Sequence, residues 1–302
     1  MAMAIAAAGA ACTGQTLTLG EKGPRPYHFD APKIVSELRA DVRTDNPTLT
    51  ADLLEIVFTS ERVSGNGDVW LARRASIFEP FTTPTPLTEV NTAMFETSAA
   101  ISADGLTLWF GSDRPSGVGT IDIWVSSRAS RAAAWETPQN VLSLSTPSED
   151  IPRPPGQHGL VMPLASKPGG TGGVYQTFFA SRESAGAPFG TPALVSELAE
   201  ADRSTVDGFL TDDGLTLFFS SSPLQVLGDA GPFVDGGALP TADLFVAWRR
   251  SVNEGFSLTQ PLDDLNTPGD ERDPWLTPDG KTLYFTSDRD GALNIYTAAV
   301  RR

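Results

Sequence analysis

The sequence predicts an all-β chain folded as a five-bladed β-propeller of four-stranded antiparallel blades, closed by the N-terminal strand completing the last blade. Three observations predict it. A hairpin motif recurs along the 302 residues at intervals of about 50 to 65, within or slightly above the range of propeller blades. A second motif, an aromatic followed by a proline and two aliphatics, alternates with the first. The alternation starts on an unmatched copy of the second motif and ends on an unmatched copy of the first.

The hairpin is plainest at residues 276–289, Leu-Thr-Pro-Asp-Gly-Lys-Thr-Leu-Tyr-Phe-Thr-Ser-Asp-Arg, followed by Asn294-Ile295-Tyr296. Asp-Gly between two runs of alternating apolar residues signals a tight turn, because Gly supplies positive φ without strain. Residues 101–114 repeat it almost residue for residue, with Asp122-Ile123-Trp124 after them. A fourth-blade copy spans 210–221 and continues at Asp243-Leu244-Phe245; a first-blade copy spans 49–62 and continues at Asp68-Val69-Trp70. The third copy has drifted: His158-Gly159 stands in the turn, Pro163 falls inside the following strand, and Gln176-Thr177-Phe178 replaces Asp-Ile-Trp. Proline there demands a position whose amide the ladder does not use.

The second motif supplies the outer strand of each blade. It reads Phe29, Pro32, Val35, Leu38; then Phe81, Pro84, Leu87, Val90; then Trp135, Pro138, Val141, Leu144; then Phe189, Pro192, Val195, Leu198; and more loosely Phe256, Pro261, Leu262, Leu265. Proline at an exposed edge costs no ladder bond and blocks edge-to-edge association. Since Phe29–Leu38 has no hairpin before it and the last hairpin has no outer strand behind it, the two ends are expected to pair and close the ring.

The phrase Leu-Thr/Ser-x-Asp-Gly-x-Thr-Leu-x-Phe-x-Ser-Asp-Arg with a following Asp-Ile-Trp resembles the WD40-like repeat of the TolB-like, or PD40, class. The resemblance runs from about Phe29 to Arg302 and is sharpest in blades two and five. It implies an exported cell-envelope propeller, periplasmic or lipid-anchored, that binds or scaffolds; it does not imply the function of TolB.

Composition narrows the function classes. With 28 Gly, 24 Pro and 20% charged residues the chain suits turns and strands better than long helices. A formal net charge of −15 repels phosphate backbones and anionic lipid surfaces, so nucleic acid is not an expected partner. One cysteine, Cys12, excludes a disulfide framework and a thiolate zinc cluster. It ends a run of small and apolar residues, and Gly9-Ala10-Ala11-Cys12-Thr13 resembles the lipobox of bacterial lipoproteins, with Gly9 where Leu is usual and no Lys or Arg ahead. Residues 1–12 are therefore read as an export segment with Cys12 as the lipidation site, the other reading being a plain Ala-rich terminus. Residues 13–26 then form a tether reaching about 45 Å when extended, and 27–302 the single propeller domain. No other apolar run approaches the ~20 residues of a membrane span, so membrane contact is expected only through the lipid.

In propellers the innermost strand of each blade lines the central channel, where ligands bind. The residues entering those strands are acidic: Asp45, Glu96, Glu149 with Asp150, Asp207, and Asp270, Glu271 and Asp273, with Trp275 beside the last group. Three readings stay open for them. They are solvated or turn-forming carboxylates; a cation or ligand site, with Ca²⁺ as the ion that oxygen ligands favour; or the acid and base of a glycosidase, by analogy with five-bladed sugar hydrolases. The Ser-Asp/Glu-Arg triplets at 60–62, 112–114 and 287–289 recur at one place and read as arginines that pair with the adjoining blade or cap loop carbonyls. Trp70, Trp124, Phe245 and Tyr296 share one strand position and read as core between blades; Trp109 and Trp275 stand outside that column, and for Trp275, the better ligand-contact candidate of the two, core and ligand contact both stand. His28 and His158 have no companion at metal spacing. Gly169–Gly173 lacks the Lys-Ser/Thr of a phosphate loop and reads as a connection between strands. Residues 223–241 depart most from the repeat; Asp229 and Asp235 in them are further Ca²⁺ candidates.

The expectation from sequence is an exported, monomeric propeller without catalysis that binds a protein or envelope polymer and requires no cofactor. A carbohydrate-active propeller using the channel carboxylates is the alternative.

Overall fold

In a computed structural model, residues 26–63, 65–167, 173–223 and 241–301 are described. Cys12, the tether up to residue 25, most of the Gly169–Gly173 run, and Asp229 and Asp235 lie outside them.

The hairpin turn is built the same way in four blades. The Ser or Thr hydroxyl donates to the Asp two residues on, and the same Asp oxygen accepts the amide two residues further. Thr277 Oγ1 lies 2.7 Å and the Lys281 amide 3.1 Å from Asp279 Oδ1; Ser102, Asp104 and Leu106, Thr211, Asp213 and Leu215, and Thr50, Asp52 and Leu54 repeat it. This is an Asx turn, which ties the backbone before any long-range contact forms. Gly105, Gly214 and Gly280 follow at φ of 76°, 68° and 67°, and Leu53 holds the same place in blade one at 62°. Blade three turns instead through Gln157, His158 and Gly159, all at positive φ.

Each hairpin extends into a four-stranded antiparallel sheet. Blade one comprises Thr44–Leu49, Glu55–Ser60, Asp68–Arg73 and Thr85–Pro86; blade two comprises Glu96–Ile101, Thr107–Ser112, Asp122–Ser127 and Gln139–Asn140. Blade three has Asp150–Pro152, Val161–Ser166, Gln176–Ser181 and Ala193–Leu194; blade four has Arg203–Leu210, Thr216–Pro223, Asp243–Trp248 and Leu258–Pro261. Blade five takes Glu271–Leu276, Thr282–Ser287 and Asn294–Arg301 from the C-terminal end, and His28–Phe29 with Lys33–Ile34 from the N-terminal end. His28 pairs with Arg301, Phe29 with Val300, Lys33 with Thr297 and Ile34 with Tyr296, so the ring closes through the ladder as the repeat order predicts. Asp264 clips the joint by accepting from the Phe29 amide at 2.9 Å and Arg301 at 3.2 Å.

The outer motif is shorter as strand than its four positions suggest. In most blades only two residues pair, and the aliphatics follow in turns, Leu38 and Leu198 in single 3-10 turns. Blade three also has a short inner strand, because Pro152, Pro154 and Pro155 have no amide to donate. Pro163 sits within the next strand and contributes its carbonyl to the Arg153 amide.

The cores lie between blades. One cluster joins blade one to two, others two to three, three to four, four to five, and five to one. Strand periodicity does this: Ile56 and Phe58 face blade five while Val57 faces blade two, and Leu108 and Phe110 face blade one while Trp109 faces blade three. No described helix is long and apolar enough to cross a membrane.

Candidate functional site

The acids entering the inner strands fall into two layers with different chemistry. Glu96, Asp150 and Glu271 open their strands and are fully buried. Glu96 accepts from the Thr92 amide and hydroxyl at 3.0 and 2.7 Å, from Ser112 Oγ at 3.0 Å and from Arg114 Nη2 at 2.9 Å. Glu271 repeats the set with Thr267, Ser287 and Arg289. Asp150 accepts the Thr146 amide, and burial pushes its carboxyl up. These carboxylates hold the loop entering the blade against the hairpin end. Asp270 is turned sideways, accepting from the Ala242 amide and Arg272.

The arginines of the Ser-Asp/Glu-Arg triplets complete that layer. Arg114 and Arg289 donate to Val90 O and Leu265 O at 2.8 and 2.7 Å, and Arg62 donates to Leu38 O. Each acceptor ends the preceding blade's outer motif, so the arginine both caps a loop and pairs with the adjoining blade. The guanidinium lies over the aromatics at Phe58 and Trp70, Phe110 and Trp124, or Phe285 and Tyr296. Another arginine column escaped the motif reading. Arg74, Arg128, Arg182 and Arg249 lie over Phe81, Trp135, Phe189 and Phe256. Their Nε atoms donate to the turn carbonyls of Leu53, Gly105, Gly159 and Gly214 at 2.6 to 2.8 Å. The signal was an arginine four residues after each strand aromatic, which blade five lacks because Val300 stands there.

One step further along the strands lies the channel layer. Asn46, Ser98, Asp207 and Asp273 occupy one repeat position, and all are left-handed, at φ of 54°, 52°, 60° and 57°. A bulge interrupts the ladder at each, which turns consecutive side chains toward the axis. Asp45, Asp207, Asp273, Arg43, Arg272 and Tyr175 are among the walls of a cavity of about 70 Å³. Of the acids marked in the sequence, the structure thus brings together Asp45, Asp207 and Asp273. Glu149 reaches this wall indirectly, accepting the Tyr175 hydroxyl; burial and then that carboxylate push the hydroxyl's pKa well up. Trp275 packs instead among Tyr284, Phe209 and the other side chains joining blades five and one.

Electrostatics make Asp273 the distinctive group. Its Oδ2 accepts from the Asn46 amide at 3.0 Å and Thr286 Oγ1 at 2.8 Å, and Arg153 Nη1 stands 3.5 Å from Oδ1. Burial raises its pKa, Asp207 raises it further, Arg153 opposes both, and the carboxyl settles at about 6. Asp45 is also raised, chiefly by burial and against the pull of Arg43; its Oδ1 has no hydrogen-bond partner among the described residues. Arg153, 1% exposed, donates to Asn46 Oδ1 at 3.2 Å and leaves Nε and Nη2 without an acceptor among the described residues. Asp207 accepts from Ser220 Oγ. Asn46, Arg153 and Tyr175 were not marked by sequence reasoning. Asn46 shares with Asp273 a proline directly after it, which was its one signal; Arg153 and Tyr175 had none.

Chemically, this layer is a buried network of carboxylates and guanidiniums with one proton exchangeable near pH 6. Its cavity admits a few waters or a small ion and falls well short of the 300 Å³ or so where small-molecule sites begin. Among the described residues no three His, Cys, Asp or Glu side chains come together as a metal-ligand set. His28 lies 3.1 Å from Asp264 at the ring closure, and His158 is an exposed turn residue.

No family model matches the chain, and no curated protein matches its sequence. Solved structures share its fold. The endo-arabinase of Bacteroides thetaiotaomicron VPI-5482 is 10% identical over 91% of this chain and 98% of its own, with a TM-score of 0.56. The α-L-arabinofuranosidase of Podospora anserina is 9% identical over 91% and 96%, with a TM-score of 0.51. TolB of Acinetobacter baumannii is 14% identical over 88% of this chain, which spans 57% of TolB's length, with a TM-score of 0.48. At these identities the likeness is one of fold: the chain is a five-bladed β-propeller.

Proposed function

We propose that this chain is an exported, lipid-anchored cell-envelope propeller of the WD40-like PD40 class, which binds a protein or envelope polymer without catalysis. The observation that carries this reading is the commitment of the conspicuous acids to the scaffold. Glu96 and Glu271 have threonine, serine and arginine donors on them, and Asp45, Asp207 and Asp273 wall a space too small for a sugar ring. The test is a glycan hydrolysis screen on the wild type beside Asp207→Asn and Asp273→Asn. No turnover on any glycan is expected; turnover lost in either variant overturns the reading. The anchor is checked separately by mass spectrometry of the mature protein, where an intact Met1 with a free Cys12 thiol removes it.

One observation favours the glycosidase alternative. Asp273 keeps a proton to about pH 6, and a carboxyl still protonated there is what the acid of sugar hydrolysis requires. That reading needs the channel mouth to open onto these groups, and the same screen decides it.

A further inference from the structure

Five copies of one module in a single chain allow each position to be compared with its four counterparts. The start of the second strand in each blade faces the end of the third: Glu55 with Arg73, Thr107 with Ser127, Val161 with Ser181, Thr216 with Trp248, and Thr282 with Ala299. Only blade one puts a charged pair there. Glu55 is buried, and it gathers guanidiniums from two blades: Arg73 Nε at 2.7 Å, Arg128 Nη2, and Arg131 Nε at 4.0 Å. Arg131 is a departure as well, since its counterparts are Ile77, Ala185 and Val252.

These departures converge on one open groove of about 840 Å³ between blades one and two, within the size range of small-molecule sites. Four arginines line it against two acids, Glu55 and Glu89, and Asp52 pairs with Arg131 at its edge. That balance is the reverse of a chain at −15 overall. Arg73 Nη2 donates to Arg131 O at 3.3 Å and Arg131 Nε to Asp104 O at 3.0 Å, and the two side chains remain 49% and 32% exposed. Leu54, Leu87 and Pro86 supply an apolar wall beside them.

We infer that this groove binds an organic carboxylate: an anionic head held by Arg73 and Arg131, with an apolar body against Leu54, Pro86 and Leu87. Guanidiniums match a carboxylate in charge and in planar geometry; Glu55 holds Arg73 at the groove, and Asp52 with the Asp104 carbonyl holds Arg131 there. Such a head occurs on a free fatty or aliphatic acid and on a peptide C-terminus.

Thermal unfolding of the full chain tests this with hexanoate against hexanamide, and with a blocked tripeptide ending in a free leucine carboxylate against its amide. At ten times Kd the carboxylate raises Tm by about 3 °C and its amide does not. A shift with hexanoate alone identifies small acids, and a shift with the tripeptide alone identifies a chain end. The Arg73→Gln/Arg131→Gln double variant loses the shift. Glu89→Gln, which removes an exposed rim charge and leaves the fold intact, tightens binding about threefold, as one less screened repulsive charge allows. Asp273→Asn leaves the shift unchanged, which separates this site from the channel. Absence of any shift in the wild type, equal shifts with acid and amide, or a shift kept by the double variant overturns the inference.

Discussion

Replacing Asp273 with asparagine mimics its neutral form, and the channel geometry sets what that does to stability. The carboxyl titrates at about 6 in the fold against an ordinary aspartate value of 3.8, because it is buried and faces Asp207. Between those two pH values the folded chain holds a proton that the unfolded chain has released. Wild-type stability therefore falls as pH rises through this window and has lost the whole amount above about pH 6. At 1.36 kcal/mol per pH unit, the gap between 3.8 and about 6 amounts to about 3 kcal/mol. Asparagine keeps the acceptor for the Asn46 amide and Thr286 hydroxyl and carries no charge to bury. Relative to wild type, Asp273→Asn is then about 3 kcal/mol more stable at pH 8 and close to equal at pH 4. Equilibrium urea unfolding at several pH values reads this difference, in which the titration of the other acids largely cancels. Arg153→Met moves the wild-type midpoint upward, since Arg153 is the largest of the groups pulling that pKa down, ahead of the Asn46 amide and Thr286 hydroxyl. A difference between wild type and Asp273→Asn that stays flat from pH 4 to 8, or that favours wild type at pH 8, refutes the account.

Further outcomes follow from the closure, the loop carboxylates and the turns. Phe29→Ala empties a buried ring from the joint of blades four and five and costs about 4 kcal/mol in denaturant unfolding; deletion of residues 27–40 abolishes the single cooperative transition in calorimetry. Glu96→Gln and Glu271→Gln weaken the charged bonds to Arg114 and Arg289 and cost about 3 kcal/mol each, the range for breaking a buried pair, with m unchanged. Gly280→Ala forces a side chain to φ of 67° and costs about 1 kcal/mol by the same measurement.

The fold was legible because its signals are local and repeated. Asp-Gly with a Thr or Ser two residues earlier specifies a turn by itself, and the unmatched motif at Phe29–Leu38 gave closure by order alone. Blade three was harder to read since His158-Gly159 makes the same turn with other residues. The site was only partly legible. Acids entering the inner strands could be counted, but Glu96 and Asp273, two places apart in the module, differ in which way the bulge turns them, and the bulge leaves only weak marks in the sequence. Arg153 was invisible for the opposite reason: it stands where other blades have Pro47, Ala99, Gly208 and Pro274, so nothing in the repeat anticipates a charge there. The Glu55–Arg73–Arg128 cluster was hidden too, because Glu55 and Arg73 meet only through the register of their strands and Arg128 reaches them only across a blade joint.

The position of the chain break within the ring has a mechanical consequence. His28–Ile34 belongs to blade five, and the chain passes from it directly into Thr44–Leu49 of blade one. Every one of the five joints between blades is thereby crossed by continuous backbone, and the single non-covalent seam falls inside a sheet, where ladder bonds such as Val35 to Ile295 hold it. Two neighbouring blades cannot drift apart at their apolar interface unless a strand is first peeled from its sheet. A load applied through the N-terminal segment falls on that seam before it reaches any blade interface.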